Sequence, residues 1–338
     1  MSQSDYRTSR RKGVTRDKSG SHEVSKRAPL RSAEGSYVRR SMDGHADFIP
    51  FTFARQSVAN ERHADRNEDY ITLDQCSGLA AVFDGVGGSA AGEIASQTAA
   101  HAMHRGWKHI LKQVKKGHHA QGFLDDCDAA SMREILRTLT LEADELVRTE
   151  GAHRAGTDDL ATTIALAALC REHGQKHYTM VYAHVGDSRI YLLREQEPLQ
   201  RLTSDDGLLA RLVENQIIND KDALRIDQAM SADQLSDMEY SYFRLRGGIT
   251  QALGGPVPPT VHINQISIVP GDRILLCTDG IHDNLIDDEI ESILRMGPRP
   301  TVARVLVEQA RVRSRQDREV TLRAKPDDMS VVVITCRF

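Results

Sequence analysis

The sequence lacks the features that mark zinc proteins, secreted proteins and membrane proteins. Its five cysteines are widely spaced with no C-x-x-C pair, and its histidines are scattered, so no set has zinc-ligand spacing. The cysteines are therefore expected to be reduced thiols. No stretch approaches the roughly 18 consecutive apolar residues of a membrane span, and the N-terminus has no apolar signal region. We therefore expect a cytoplasmic protein without a membrane partner.

The chain lacks net positive charge outside its first 45 residues. That segment holds eleven Lys or Arg against five Asp or Glu, a net charge of +6, which leaves −10 for the rest of a chain whose total is −4. An acidic body argues against nucleic acid as the main ligand. Residues 1–50 also contain nine serines and little apolar periodicity. We predict a disordered basic tail over 1–50, either simply solvated or serving as a docking or phosphorylation segment, followed by one domain over 51–338.

The apolar pattern after residue 52 predicts short strands and longer helices. Strand-like runs occupy 79–83, 160–170, 178–185, 188–193, 266–278 and 329–336. Apolar residues at three- and four-residue steps predict helices over 94–114 and 132–147, with shorter helices over 287–296 and 300–313. The two-residue link Gly186-Asp187 predicts an antiparallel hairpin. Strands without strict β-α alternation favour packed antiparallel sheets, and the polar stretch 204–248 is typical of an inserted helical flap.

The stretch LAAVFDGVGGSAAGE at 79–93 places a carboxylate where a glycine-rich phosphate loop would begin. A dinucleotide fingerprint needs G-x-G-x-x-G directly after the strand, but the third glycine position is Ala90 and Asp84 precedes the first. A carboxylate there would repel phosphate unless a cation intervened. The glycine after it permits close backbone approach, so the carbonyl of Gly85 could itself face an ion. A helix-capping role for Asp84 is the alternative.

Acidic residues recur at the ends of other apolar strands. They are Glu68 and Asp69 before an early strand, Asp187 at a turn, Asp279 after a strand, and Asp327 and Asp328 before the last strand. One such aspartate is common in turns, but five clusters indicate convergence at one end of the sheets. Crowded carboxylates need neutralisation, and oxygen-only ligands favour Mg²⁺ or Mn²⁺. Two such ions would share a water and direct it at a phosphorus.

The motifs resemble, in family order, those of the metal-dependent PPM, or type 2C, protein serine/threonine phosphatases. They are RNED, VFDGVGG, GTDDLATT, HVGDSRIYLL, LTSDD, ITQALGG, LLCTDGIHD and KPDDMSVVVI, spread over about residues 53–336. The resemblance implies an α+β fold, a four-layer α-β-β-α sandwich with two central antiparallel sheets. It also implies hydrolysis of phosphoserine and phosphothreonine in proteins, opposite a serine/threonine kinase, by in-line attack of a water that bridges two metal ions.

The same resemblance implies a role for each matching position. Asp84 corresponds to the carboxylate that bridges both ions. The other matching residues correspond to ligands of the first ion, the second ion or a weaker third ion. Glu68, the Gly85 carbonyl and the nearby Asp69 belong to the first ion, Asp279 and Asp327 to the second, and Asp187 and Asp283 to the third.

Three departures from the family pattern bear on activity. Ala64 stands where an arginine usually holds the substrate phosphate, so Arg62 or Arg66 is the replacement to consider. Val86 stands where some members have a proton-donating histidine, and His63 and His282 are nearby in sequence only. Asp328 and Asp206 replace a usual asparagine and histidine. Ala64 leaves a second hypothesis open, a catalytically impaired module that binds phosphoproteins.

Overall fold

Two β-sheets, packed face to face, form the centre of the computed structural model, which describes residues 50–86, 91–117, 124–125, 127–171 and 177–337. The predicted disorder of the tail and the glycines at 87–88 lie outside the described residues. The seven-stranded sheet has the order β10-β7-β6-β3-β2, with β4 beside β6 and β5 beside β3. Its strands are β2 (Asp69–Asp74), β3 (Leu79–Val86), β4 (Leu124–Asp125), β5 (Ala161–Thr162), β6 (Ile164–Arg171), β7 (Tyr178–Val185) and β10 (His262–Ile268).

The second sheet has five strands in the order β1-β12-β11-β8-β9. They are β1 (Phe51–Val58), β8 (Arg189–Leu193), β9 (Gln200–Arg201), β11 (Arg273–Cys277) and β12 (Met329–Cys336). All pairings are antiparallel except the short contact of β4 with β6. The sequence pattern did not predict β1, which pairs along its whole length with β12.

Helices cover the outer face of each sheet. The described helices are α1 (Ala91–Gly117), α2 (Ala129–Leu146), α3 (Ala152–Ala155), α4 (Leu208–Glu214), α5 (Asp220–Asp227), α6 (Asp237–Leu245), α7 (Asp279–His282), α8 (Asp287–Met296) and α9 (Val302–Ser314). The predicted helices over 94–114, 132–147, 287–296 and 300–313 therefore coincide with α1, α2, α8 and α9. Helices α4 to α6 lie in the segment predicted as a flap and share a small apolar core around Ile226 and Phe243.

Strand alternation creates three separate apolar layers. On β3, Leu79, Ala81 and Phe83 pack against α1 and α2, whereas Ala80 and Val82 face the other sheet. Strands β11 and β12 follow the same rule, sending one set of side chains to the inter-sheet layer and the other to α7–α9. Because side chains alternate along a strand, strands covered on both faces are apolar throughout. The predicted α+β fold with four α-β-β-α layers is confirmed.

The predicted hairpin between 178–185 and 188–193 is wrong. Strand β7 pairs with β6 and β10, whereas β8 pairs with β9 and β11 in the other sheet. Gly186 has φ +97°, and this left-handed conformation lets the chain turn over from one layer into the next. The same change of sheet occurs between β10 and β11 at Gly271, where φ is +93°. The predicted run 266–278 is therefore two strands in different sheets.

Candidate active site

The predicted acidic residues converge where strand ends of both sheets meet. Asp69 begins β2 and lies directly opposite Asp84, near the end of β3. Asp69 also joins the sheets, because one of its carboxylate oxygens accepts a hydrogen bond of 2.8 Å from the hydroxyl of Thr278, the residue after β11. Asp279 follows Thr278 directly and begins α7. The short helix thus starts where the two sheets present their carboxylates.

Three carboxylates on the second sheet's side surround one ammonium group. The Nζ atom of Lys325 lies 2.5 Å from Asp279 Oδ2, 2.7 Å from Asp283 Oδ2 and 3.2 Å from Asp327 Oδ2. The structure therefore places Asp279, Asp283 and Asp327 within reach of a single cation. The sequence analysis did not identify Lys325, although a lysine two residues before a predicted ligand was visible in KPDD.

The carboxylates repel one another strongly. Burial raises the pKa of Asp84 well above its usual range, and Asp279, Asp69, Asp327 and Asp187 add to the rise in that order. Burial and Asp279 raise the pKa of Asp327 to about 7. Burial also raises the pKa of Asp187, with Asp279 and Asp205 contributing. A cluster in which each charge opposes its neighbours is stabilised by bound cations.

Two buried carboxylate oxygens in this cluster indicate that the residues fit a cation. Glu68 Oε1 and Asp69 Oδ1 are buried acceptors without a hydrogen-bond donor among the described residues. Such acceptors are costly unless something positive binds them. Arg66 Nε lies 3.2 Å from Glu68 Oε1, an ion pair that lacks hydrogen-bond orientation. The donor set of carboxylates alone, with unpartnered oxygens, fits a hard divalent cation.

Gly85 lies beside these acceptors, and its backbone is closely packed. Its N–H donates to the Glu68 carbonyl at 3.0 Å. A Cβ atom at this position would lie 2.2 Å from the Gly92 carbonyl oxygen and 2.7 Å from that of Glu68. Only glycine therefore allows the three backbone segments to approach. The predicted role of the Gly85 carbonyl as a ligand stays a prediction.

The two arginines considered as phosphate ligands occupy different surroundings. Arg66 is half-buried against Glu68. Arg62 is exposed and lines a cavity of about 320 Å³ together with Arg311, Arg315 and Asp327. In that cavity Arg311 and Arg315 both pair with Glu61, whereas Arg62 has no carboxylate partner in the described part of the chain. Ala64 follows the 3-10 turn Glu61–His63 and carries no polar side chain.

The two departures at Asp328 and Asp206 have structural roles. The oxygens of Asp328 accept the backbone N–H groups of Asn60 and Glu68, each at 2.6 Å, and so tie the loop before β2 to the start of β12. Asp206 accepts the N–H of Gly186 at 2.8 Å through one oxygen, and the other oxygen lies 2.9 Å from Nε2 of His262. Neither residue therefore has to bind a cation to satisfy its oxygens.

Buried cations behind the site were missed by the sequence analysis. Arg189 is 2% exposed and donates to Asp205 at 2.6 Å and to Asp227 at 3.1 Å, which links β8 to the flap helix α5. Arg323 is fully buried and donates to the carbonyls of Asp227 and His282. The sequence signals were an arginine two residues after a turn aspartate in GDSR and another arginine in the segment before KPDD.

Neither nearby histidine is oriented as a proton donor to a substrate. His282 is buried, and its Nε2 lies 3.0 Å from the carbonyl oxygen of Asp187. Burial and Arg189 lower the pKa of His282 to about 4, so the ring is neutral at pH 7 and donates to that carbonyl. The Nδ1 atom of His63 lies 3.3 Å from the Arg66 carbonyl oxygen.

Comparisons with known proteins support one family. Residues 58–318 match the family model described as Protein phosphatase 2C. The chain is 29% identical over 252 residues to the serine/threonine protein phosphatase PstP of Mycobacterium tuberculosis, which covers 72% of this chain and 39% of that protein. It is 28% identical to a putative protein phosphatase 2C-type of Streptococcus pyogenes, over 68% of this chain and 78% of that protein. The chain thus spans about two fifths of the length of PstP.

A solved structure shows the same fold. The crystal structure of the PstP catalytic domain in complex with two manganese ions superposes with a TM-score of 0.58 at 24% identity, over 85% of this chain and 99% of that one. Within the described part of the chain, no helix combines the length and the apolar character needed to cross a bilayer.

Proposed function

Because the chain belongs to the protein phosphatase 2C family, we propose that it is a metal-dependent protein serine/threonine phosphatase. The observation that carries this proposal is the convergence of Asp69, Asp84, Asp279 and Asp327 beside buried carboxylate oxygens that have no hydrogen-bond donor in the described part of the chain. The relatives named as serine/threonine phosphatases support the substrate class. We further propose that the substrates are proteins phosphorylated by a serine/threonine kinase. The cytoplasmic location, the signalling role and the division into a tail over 1–50 and a domain over 51–338 stay predictions.

The proposed ligand sets follow the two sides of the cluster. Glu68, Asp69 and the Gly85 carbonyl would hold one Mg²⁺ or Mn²⁺, Asp279 and Asp327 the other, and Asp84 would contact both. When bound, the cations would supply charge neutralisation, a water of lowered pKa and an anchor for phosphate oxygens. The structure with two manganese ions of the PstP catalytic domain supports this number of ions.

Residues around the cluster are proposed to bind the substrate phosphate and to position the metal ligands. Arg62 is the guanidinium best placed to hold substrate phosphate, since it lines the cavity beside Asp327 without an acidic partner in the described part of the chain. Asp328 fixes the loop that carries Glu68 and thereby positions the ligands. Because both His63 and His282 contact carbonyls, we propose that solvent water protonates the alkoxide of the leaving serine or threonine.

The first test is metal dependence of hydrolysis. We expect the purified chain to hydrolyse p-nitrophenyl phosphate and a phosphothreonine peptide in Mn²⁺, and to lose this activity in EDTA, because uncompensated carboxylates would repel the phosphate. Activity should return when Mn²⁺ is restored in excess. Turnover that is absent at every metal concentration, while the phosphopeptide still binds, would favour the impaired binding module over the enzyme.

The second test separates the two arginines. We expect Arg62→Ala to raise KM for a phosphopeptide about tenfold with a smaller change in kcat, because it removes a charge-assisted contact worth about 1.5–3 kcal/mol. Arg66→Ala should leave KM nearly unchanged, because Arg66 pairs with Glu68 and does not line the cavity that Arg62 lines. Steady-state kinetics at saturating Mn²⁺ measures both variants.

Arg55→Ala provides the matched control, since Arg55 is an exposed arginine on β1 in the same part of the chain. It removes the same charge and should leave KM within a factor of about two. Equal KM values for Arg55→Ala and Arg62→Ala would mean that Arg62 does not hold phosphate.

A further inference from the structure

Lys325 occupies the place in the cluster where a cation would contact Asp279 and Asp283 together. Its Nζ lies 2.5 Å from Asp279 Oδ2, 2.7 Å from Asp283 Oδ2 and 3.2 Å from Asp327 Oδ2, so the ammonium contacts one oxygen of each carboxylate. The family resemblance assigns Asp283 to a weaker third ion. In this chain the ammonium stands between Asp283 and the nearest predicted ligand of the second ion.

The backbone of Lys325 is held in place beside the three carboxylates. The side chain of Asn284 clamps it from both sides, because its Oδ1 accepts the Lys325 N–H at 3.1 Å and its Nδ2 donates to the Lys325 carbonyl at 2.8 Å. Asn284 is itself fully buried. Pro326 follows directly and restricts the chain further. The fixed backbone keeps the flexible four-carbon side chain of Lys325 within reach of these carboxylates.

A second internal cation completes the neutralisation of Asp283. Arg246, at the end of the flap, approaches Asp283 Oδ1 at 3.3 Å and donates to the Asp283 carbonyl at 3.3 Å. The two carboxylate oxygens of Asp283 therefore face two different protein cations. A divalent ion at Asp283 would have to displace one of them or approach two positive charges.

We propose that the ammonium of Lys325 replaces the third metal ion in this chain, leaving room for two divalent cations rather than three. The proposal rests on the proposed function, since it assumes that the carboxylate cluster binds Mn²⁺. Lys325 then acts as a tethered cation that is present in every molecule, whereas a weakly bound ion would be present only at high metal concentration. The charge of Asp283 is then balanced without a metal ion.

The test counts bound metal. We expect native mass spectrometry and isothermal titration calorimetry with Mn²⁺ to give two ions per chain for the wild type and three for Lys325→Met, which keeps an unbranched stem without charge. Lys325→Arg, which retains a cation, should bind two. Lys112→Met is the matched control, because Lys112 is an exposed lysine of α1, and it should also bind two.

The double variant Lys325→Met with Asp283→Asn identifies the extra ion. We expect it to return to two ions, since the additional site loses a carboxylate. If Lys325→Met does not fold, Lys325→Gln is used with the same expectation, and circular dichroism confirms the fold before metal is counted. Two ions in the folded Lys325→Met or Lys325→Gln protein, or three in the wild type, would overturn the inference. A wild type that binds no Mn²⁺ would instead overturn the proposed function.

Discussion

Replacing Asp84 by asparagine is expected to reduce turnover by about 10³-fold or more while the protein remains folded. Replacing a residue that only supports a metal ligand typically lowers metal affinity or activity by about 10–100-fold. Asp84 lies where both proposed cations would contact it, so the loss of activity should be larger. Asp279→Asn should have a similar effect on turnover. Hydrolysis of p-nitrophenyl phosphate in saturating Mn²⁺ measures the loss.

The Asp84→Asn substitution should not lower the stability of the metal-free protein, although it lowers activity. Burial and four neighbouring aspartates raise the pKa of Asp84, which means that its charge is unfavourable in the metal-free protein. Asp84→Asn should therefore unfold at the same or a higher temperature than the wild type in EDTA. Asp233→Asn, at an exposed aspartate of the flap, is the control and should retain full activity. Near-native turnover in Asp84→Asn would show that Asp84 binds no essential cation.

Replacing Arg189 by methionine is expected to lower the free energy of unfolding by about 3–5 kcal/mol, the range for breaking a buried ion pair by removal of one partner. The loss would leave Asp205 and Asp227 buried next to an apolar side chain. Burial opposes ionisation of both carboxyls, yet Arg189 keeps the pKa of each below its usual range. Urea denaturation at pH 7 in EDTA measures the difference.

The pH dependence of this loss follows from the sign of those pKa changes. A lowered carboxyl pKa contributes stability above its ordinary value near 3.9, and that contribution disappears as the pH falls. The difference between wild type and Arg189→Met should therefore persist from pH 7 to about pH 4 and shrink as the pH falls below that value. Arg201→Met is the matched control, because Arg201 also faces Asp227, at 3.4 Å, but is 27% exposed. Arg201→Met should lower the free energy of unfolding by only about 0–1 kcal/mol. Equal losses for the two variants would mean that the burial of Arg189 does not contribute to stability.

Most of the fold could be predicted because its layers leave a strong local signal. The helical stripe that includes Met132, Leu136 and Leu139 lies on the buried face of α2, and the apolar strands coincide with β3, β6 and β12. Asp84, Asp279 and Asp327 could be grouped because each adjoins such a strand. Their positions at strand ends are visible in the sequence, whereas their meeting depends on the pairing of β11 with β12 and on the packing of the two sheets.

Pairing partners and internal cations were harder to predict. A short turn between apolar strands has the same sequence pattern whether the strands pair side by side or stack in different sheets, and Gly186 permits either arrangement. Lys325 and Arg189 were missed because a charged side chain in the sequence does not reveal which carboxylates surround it. Their positions depend on contacts across 42 and 38 residues, respectively.

The layer between the two sheets contains three small side chains, those of Ala80, Ala165 and Ala167, among larger apolar ones. Asp84 belongs to one of the facing sheets, whereas Asp279 follows a strand of the other. The width of this inter-sheet layer therefore sets the distance between the carboxylates carried by one sheet and those carried by the other. Bulkier side chains introduced there would change metal–metal spacing and ion preference without touching a single ligand, so evolution can retune the catalytic centre from within the protein interior.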